Sequence, residues 1–457
     1  MEQTHCHVGQ TMTLLGWRSG DGFNVRDRRA LVLMVLIAFV AGYGGSQLSH
    51  TLPFARRDLG LTEGSMSLIF AITRAASLLG LGFAVLADRR GRRGPLLVAV
   101  ALLPMGNLLT AFAPGPIWFT VAQSITRIAV IAVAGLAIVI LAEELTPALR
   151  ALGLGIYALF GAMGTGLGII LLPIAENSPG SWRILYALTG IGLLIVPLAA
   201  RFLKESRAYV QFAKPVKFRQ ALRAGLGRHF WPLAAMAFFI AAYSSPAFDF
   251  VFERMIDDLQ WDTGAARFLL IFFSGLGALG LLVGGRMADH VGRKPTTAVA
   301  IILGLVGGVS FYLASSGWVL APAVLAASLG AAMLTPAFAA HRTELFPTRV
   351  RATAAGWVTN AAILGSITGF LVGAVLIDRI GLSATITILA GGLVIALLLV
   401  IRLPETKGMD LVRRKADPAG ATPEGSMPGW PSEPPAPTTP PLAPTLGAPP
   451  PEAPPTT

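Results

Sequence analysis

Charge is scarce in this chain. Aspartate, glutamate, lysine and arginine make up 13% of its 457 residues, about half the share of a soluble domain. That shortage excludes a soluble enzyme and a charged, disordered regulator. Cysteine is nearly absent: Cys6 stands alone, so no intramolecular disulfide framework exists. No Gly-x-x-x-x-Gly-Lys-Ser/Thr phosphate loop occurs, which argues against an ATP-driven pump. No His-Glu-x-x-His or Gly-x-Ser-x-Gly occurs either, and neither an enzymatic activity nor a cofactor is expected. His5, Cys6 and His7 are three soft ligands on one polar tail, a poor metal site. Residues 1–29 are polar, and the first apolar run is a full span rather than a short signal-peptide core.

Apolar sequence dominates instead. The chain is 54% apolar, and its mean hydropathy is +0.66. Run lengths place twelve membrane spans near 30–50, 65–87, 95–113, 117–142, 151–175, 182–203, 230–252, 264–288, 295–314, 318–341, 352–377 and 382–403. The 51 glycines suit membrane helices, which use small residues to bring backbones close. A net charge of +12 could suggest nucleic acid, but the basic residues recur in short clusters between apolar runs. With the N-terminus inside, 28 of the 36 lysines and arginines fall on inside segments, and only Arg56, Arg57, Arg183, Arg254 and Arg379 fall outside. The pattern predicts a multi-pass protein of a cell's inner or plasma membrane with both termini cytoplasmic. Its expected partners are the lipid bilayer and a small-molecule solute, with a proton as candidate coupled ion and no nucleic acid.

The chain repeats itself. Ala87-Asp88-Arg89-Arg90-Gly91-Arg92-Arg93 matches Ala288-Asp289-His290-Val291-Gly292-Arg293-Lys294. Glu144-Leu-Thr-Pro matches Glu344-Leu-Phe-Pro, Arg150 matches Arg351, and Leu203-Lys-Glu205 matches Leu403-Pro-Glu405. The offsets are 200 or 201 throughout. The expected fold is all-α, with twelve transmembrane helices in two parallel six-helix repeats. The expected domains are a tail at 1–29, a bundle at 30–203, a cytoplasmic linker at 204–229, a second bundle at 230–403 and a tail at 404–457. Fifteen of the 42 residues from Ala416 to Thr457 are proline, which predicts a disordered, extended tail.

Those paired motifs resemble the major facilitator superfamily over about residues 30–410, and within it the sugar-porter-like and organic-ion carriers. The resemblance implies a secondary transporter working by alternating access. It also implies two charge clusters at the inner gate. Glu144, Arg150, Arg92 and Glu205 would form one, and Glu344, Arg351, Arg293 and Glu405 the other, with Asp88 and Asp289 near helix starts. Gly44 stands where relatives carry a span 1 aspartate, and span 7 lacks the paired glutamines of hexose carriers, so a hexose is disfavoured. Gly155, Gly164 and Gly168 have the spacing of a drug-exporter motif without its proline; span 11 repeats the spacing, which reads as tight packing.

A charge within the bilayer costs roughly 2.5–3.5 kcal/mol on insertion scales and needs a reason. Arg127 lies near mid-depth in span 4, either as a cation binding the substrate or as a packing residue. With no span 1 acid to face it, a substrate carboxylate is its expected partner. Tyr43, Gln47, Gln123, Tyr157 and Asn360 are the candidate polar groups beside it. Arg74 is either a cavity cation or one member of a structural pair, and Arg267 a snorkelling rim residue. Asp249 and Glu253, one helical turn apart, are either outer-rim salt-bridge partners or fallback proton sites. The resulting expectation is a secondary carrier of a small organic solute, an organic anion by the Arg127 argument. Two alternatives stay open: a proton-coupled drug exporter, or a non-transporting sensor or scaffold acting through the proline-rich tail.

Overall fold

The computed structural model describes residues 25–145, 147–203, 205, 229–345 and 351–407, with side chains except at 25–27, 88, 147–151, 343 and 351–353. Within these residues, twelve helices are long and apolar enough to cross a membrane. They are α1 (Arg28–His50), α2 (Glu63–Ala87), α3 (Arg93–Ala111), α4 (Pro116–Glu144), α5 (Leu152–Glu176) and α6 (Trp182–Phe202), then α7 (Phe230–Asp249), α8 (Thr263–His290), α9 (Arg293–Leu313), α10 (Gly317–Arg342), α11 (Ala354–Ile380) and α12 (Leu382–Arg402). Every limit falls within three residues of the apolar-run limit. The Pro-rich tail lies outside the described residues.

Local chemistry sets the helix starts. The Thr62 hydroxyl accepts from the Ser65 N–H at the start of α2, and the Asp262 carboxylate accepts from the Ala265 N–H at the start of α8. Pro116 opens α4, where a missing N–H costs nothing. Several helices are less regular than their apolar runs suggest: 3₁₀ stretches at Thr189–Leu194 and Leu172–Glu176 lie within α6 and α5. A 3₁₀ turn at Leu78–Gly80 interrupts α2, and i→i+3 bonds at Ala278 and Leu279 interrupt α8 at the equivalent place. Helical structure also continues beyond α7 through Asp258.

The packing repeats as the sequence does. In the first repeat α1 lies on α5, α3 on α4 and α6, and α2 on α4. In the second, α7 lies on α11, α9 on α10 and α12, and α8 on α10. The two repeats meet most extensively along α2 and α11. Glycine permits the closest crossings. A Cβ on Gly164 would lie 2.0 Å from the Phe39 carbonyl oxygen, and one on Gly365 2.0 Å from that of Phe238. The glycine spacing of α5 and α11 is therefore a contact for α1 and α7. Gly365→Ala is expected to cost about 1–3 kcal/mol by overpacking, read as a lowered Tm in detergent. Gly155→Ala, with open space at the Cβ, should leave Tm unchanged or raise it.

Candidate substrate site and gates

Arg127 lies eleven residues into α4, about 16 Å along it at 1.5 Å per residue. Its side chain is half-buried and makes no hydrogen bond or ion pair to the described residues. Its electrostatic neighbours are Arg74 of α2, Asp249 of α7 and Tyr186 of α6. A guanidinium whose neighbours come from both repeats faces the space between them rather than lipid. Asp249, 4% exposed, is bonded through both oxygens: Oδ1 accepts from Ser49 Oγ at 2.6 Å, and Oδ2 from Arg74 Nη2 at 2.8 Å. Among the described residues the one acid near Arg127 is thus committed to Arg74. Arg74 is the structural pair and faces the slot at once: its side chain keeps 24% exposure, and its guanidinium lies 5.8 Å from the centre of the Phe370 ring.

The other candidates divide. Gln47 is fully buried, and neither amide atom has a partner among the described residues. Tyr43 is buried and its hydroxyl donates to the Leu185 carbonyl at 2.9 Å, joining α1 to α6. Gln123, expected beside the substrate, is 3% exposed and donates to Thr110 at 2.8 Å and to Asn107 at 3.3 Å. Its amide holds α4 against α3, because a buried amide next to two acceptors bonds them before any ligand arrives. Tyr157 packs against the apolar core of the first repeat, and Asn360 is half-buried on α11. Sequence reading missed Ser49 and His50. His50 is 3% exposed, with Nδ1 unpartnered and its ring edge-on to Phe252. A polar run from Ser46 to Thr51 at the end of an apolar helix was the available signal.

One end of the molecule is sealed by bonds between repeats. Arg56 Nε donates to Glu253 Oε1 at 2.5 Å, and Arg56 and Arg57 also pair with Asp257. Thr62 Oγ1 and the Gly64 N–H donate to Asp378 at 2.7 and 2.9 Å, and Ser67 Oγ donates to the Phe370 carbonyl at 2.7 Å. Below these bonds the rings of Phe70 and Phe370 stack at 4.9 Å, with Phe250 at 5.7 Å from Phe70. Arg267, expected at the rim, lies near the start of α8 and donates to the Ile170 carbonyl at 3.1 Å, tying α8 to α5.

At the opposite, basic end each repeat builds its own network. Arg293 grips Glu344 through Nε at 3.1–3.2 Å and Nη2 at 2.9 Å, while Thr406 Oγ1 donates to Glu344 at 2.6 Å. Glu405 accepts backbone N–H bonds from Arg293, Lys294, Thr406 and Lys407 at 2.9–3.0 Å. The first repeat matches: Glu205 accepts the Arg92 N–H at 2.6 Å, and Arg92 pairs with Glu143 at 3.2 Å. Sequence reading missed Glu143; its neighbour Glu144 is 6% exposed. The acids at the helix starts are also not those expected. Glu205 and Glu405 return from the chain beyond α6 and α12 to cap α3 and α9, whereas Asp289 lies in the last turn of α8, 71% exposed, bonded to Arg293 at 3.2 Å. The side chains of Asp88, Arg150 and Arg351 lie outside the described residues. Gly91 and Gly292 have φ of +97° and +132°, and a Cβ there would lie 2.5 and 2.6 Å from the Glu205 and Glu405 carboxylates. The glycine of each paired motif both turns the chain and admits the capping acid.

The family model of the Major Facilitator Superfamily matches residues 34–253 and 234–440. The chain belongs to the Major Facilitator Superfamily. It is a multi-pass membrane protein and a secondary transporter of small organic solutes. It is 27% identical to the gallate transporter of Pseudomonas putida over 408 residues, covering 79% of this chain and 88% of that one. It is 23% identical to the 4-hydroxybenzoate transporter PcaK of the same organism, covering 82% and 92%. The inward-open xylose transporter XylE from E. coli superposes with a TM-score of 0.67 at 17% identity, covering 85% and 99%. An inward-facing bacterial homologue of the lysosomal transporter Spinster gives 0.68 at 15%, covering 84% and 97%. These two structures show the shared fold.

Two predictions follow from the ends of this superfamily member. Burial alone would raise the Glu405 carboxyl, but the N–H bonds from Arg293, Lys407, Lys294 and Thr406 outweigh it and hold it below the usual range. Glu405→Gln is expected to lower stability by about 1 kcal/mol, as loss of a charged cap at an exposed helix start, measured as Tm at neutral pH. At the sealed end, burial pushes the Glu253 carboxyl from 4.5 up to about 7, against the opposing pull of Arg56. The sealed state therefore holds this proton more tightly than an opened, hydrated one. The resulting bias toward closure is complete below about 4.5 and is lost as pH rises through about 7. Labelling of a cysteine introduced beneath this end, in an otherwise Cys6→Ser chain and corrected for the thiolate fraction of a free thiol at each pH, should slow as pH falls over that window. Glu253→Gln should remove the corrected dependence.

Proposed function

We propose that this carrier moves a small organic anion, an aromatic or cyclic monocarboxylate, by alternating access. One observation carries the reading: at mid-depth, Arg74 and Arg127 share a single carboxylate, Asp249. Two fixed positive charges and one negative charge leave a net positive charge in a poorly solvated slot, which draws an anion to it. The arginine fork binds carboxylate through two parallel hydrogen bonds, so Arg127 is the primary anion ligand. Relatives named for gallate and 4-hydroxybenzoate support an aromatic acid.

The charge asymmetry of the loops supports a cytoplasmic basic end with both termini there, in a cell's inner or plasma membrane. The sealed end then faces outward, and the state described is open inward. The two repeats, 30–203 and 230–403, rock as units about the Arg127 site, and the Arg92 and Arg293 networks stiffen the inner end of each.

The test is ligand-induced thermal stabilisation of purified protein by benzoate, 4-hydroxybenzoate and 3,4,5-trihydroxybenzoate, with xylose as control. Arg127→Gln should weaken carboxylate binding at least tenfold, and Arg127→Lys should recover only part of it. An Arg127→Gln protein that is folded and binds these acids as tightly as the unaltered chain defeats the reading.

A further inference from the structure

Asp249 is held entirely by the other repeat. It stands on α7 of the second repeat, while Ser49 and Arg74, which bond its two oxygens, stand on α1 and α2 of the first. Outward opening separates the repeats at this end and breaks both bonds. Arg74 and Arg127 then remain together on the first repeat, and Asp249 leaves without a cation. The present contact is also incomplete. Arg74 gives Asp249 one Nη2–H, and its Nε is buried without a partner among the described residues. The edge formed by Nε and Nη2 is the one that grips a carboxylate with two parallel bonds. Asp249 occupies one corner of that edge, and a ligand carboxylate can take both.

We propose that Asp249 is the proton site of this carrier and that anion and proton bind together. The proposal rests on the anion reading above. The ligand carboxylate takes Arg74 from Asp249. The Asp249 carboxylate, left without a cation at a poorly solvated depth, accepts a proton from water on Oδ2, the oxygen Arg74 had held, and keeps its Ser49 bond through Oδ1. The proton is drawn from the bulk buffer through water: one O–H bond forms on Asp249, one bond to hydrogen breaks in the buffer acid, whose conjugate base keeps the electron pair, and nothing is oxidised or reduced. With two arginines, one bound monoanion and a neutral Asp249, the site carries the same net charge loaded as empty. The two repeats can therefore reorient in either condition without changing the buried charge. Coupling is reciprocal: whatever factor the anion adds to proton affinity, the proton adds to anion affinity.

The other titratable or charged groups facing this point are His50 from α1, Arg127 from α4 with Tyr186 from α6 beside it, Tyr312 from α9, and Glu253 one turn along from Asp249. Glu253 belongs to the seal at the far end rather than to the slot, since its bonded oxygen is committed to Arg56. His50 is the competing proton acceptor, because its Nδ1 is buried and free.

The experiment is calorimetry of benzoate binding to the purified full-length carrier in buffers of different ionisation enthalpy, from pH 5 to 9. The expected result is uptake of close to one proton per benzoate at alkaline pH, with affinity falling about tenfold per pH unit there. Asp249→Asn should bind benzoate with no proton uptake and no pH dependence, and at least tenfold more tightly than the unaltered chain at pH 8. His50→Gln should keep the uptake. Ser49→Ala retains every charge and removes a donor to the ionised carboxylate, so its profile should move up by about one pH unit; it decides the matter should Asp249→Asn fail to fold. Benzoate binding without proton uptake, uptake retained by Asp249→Asn, uptake lost in His50→Gln, or an unmoved Ser49→Ala profile each overturns the proposal. Failure of the unaltered chain to bind any aromatic acid, or Arg127→Gln binding normally, defeats the anion reading instead.

Discussion

The structure depends most on a shortage of negative charge at its centre. Arg74 and Arg127 lie at similar depth from the sealed end, and one carboxylate serves both. In water that imbalance would mean little. Between packed helices, where dielectric screening is weak, an unpaired guanidinium is costly and draws any available anion. Asp249 is supplied by the opposite repeat, so the same ion pair that partly neutralises the site also holds the repeats together at one end. Charge balance and conformation are therefore one equilibrium, and a ligand able to compete for Arg74 acts on both.

Much of this architecture was legible in the sequence because lipid imposes simple rules. A helix must satisfy its backbone internally and be long enough to span, so run length alone located all twelve helices. The two-fold repeat was legible because the paired loops are short and rich in charge, and their glycines cannot drift without losing the turn at Gly91 and Gly292. The 3₁₀ breaks in α2 and α8 were not legible, since apolar content is the same on both sides of them. Arg127 stood out because a charge deep in an apolar run has few explanations.

Its partners were harder to read. Asp249 lies 122 residues from Arg127 in sequence, and no local pattern says which helix faces will meet. Gln123 shows the converse difficulty. It lies one turn from Arg127 on α4, yet its amide points to Asn107 and Thr110 on α3. Helical spacing places residues on a face, but only packing decides whether that face meets a cavity or a neighbour. The glutamate caps failed to appear for a related reason: Asp88 and Asp289 are close in sequence to the helix starts, whereas Glu205 and Glu405 arrive from over 100 residues away.

The two ends of the molecule are held by different kinds of bond. At the basic end the described networks around Arg293 stay within one repeat: Glu344, Glu405 and Asp289 all belong to the second bundle. At the far end Glu253, Asp257 and Asp378 reach across to the first. A bond inside a repeat survives rocking, and a bond between repeats does not. The Arg293 network therefore moves as a block, and the free energy of switching is concentrated in the far-end pairs and in Arg74–Asp249 beneath them. Of the far-end pairs, that of Arg57 with Asp257 lies nearer water, where broken ions are rehydrated at lower cost, whereas Glu253 is itself buried. Asp249 lies deeper, and its separation from Arg74 leaves a carboxylate that water reaches only through the opening itself. Breaking the Arg74–Asp249 pair therefore carries a desolvation cost that a group replacing either partner offsets.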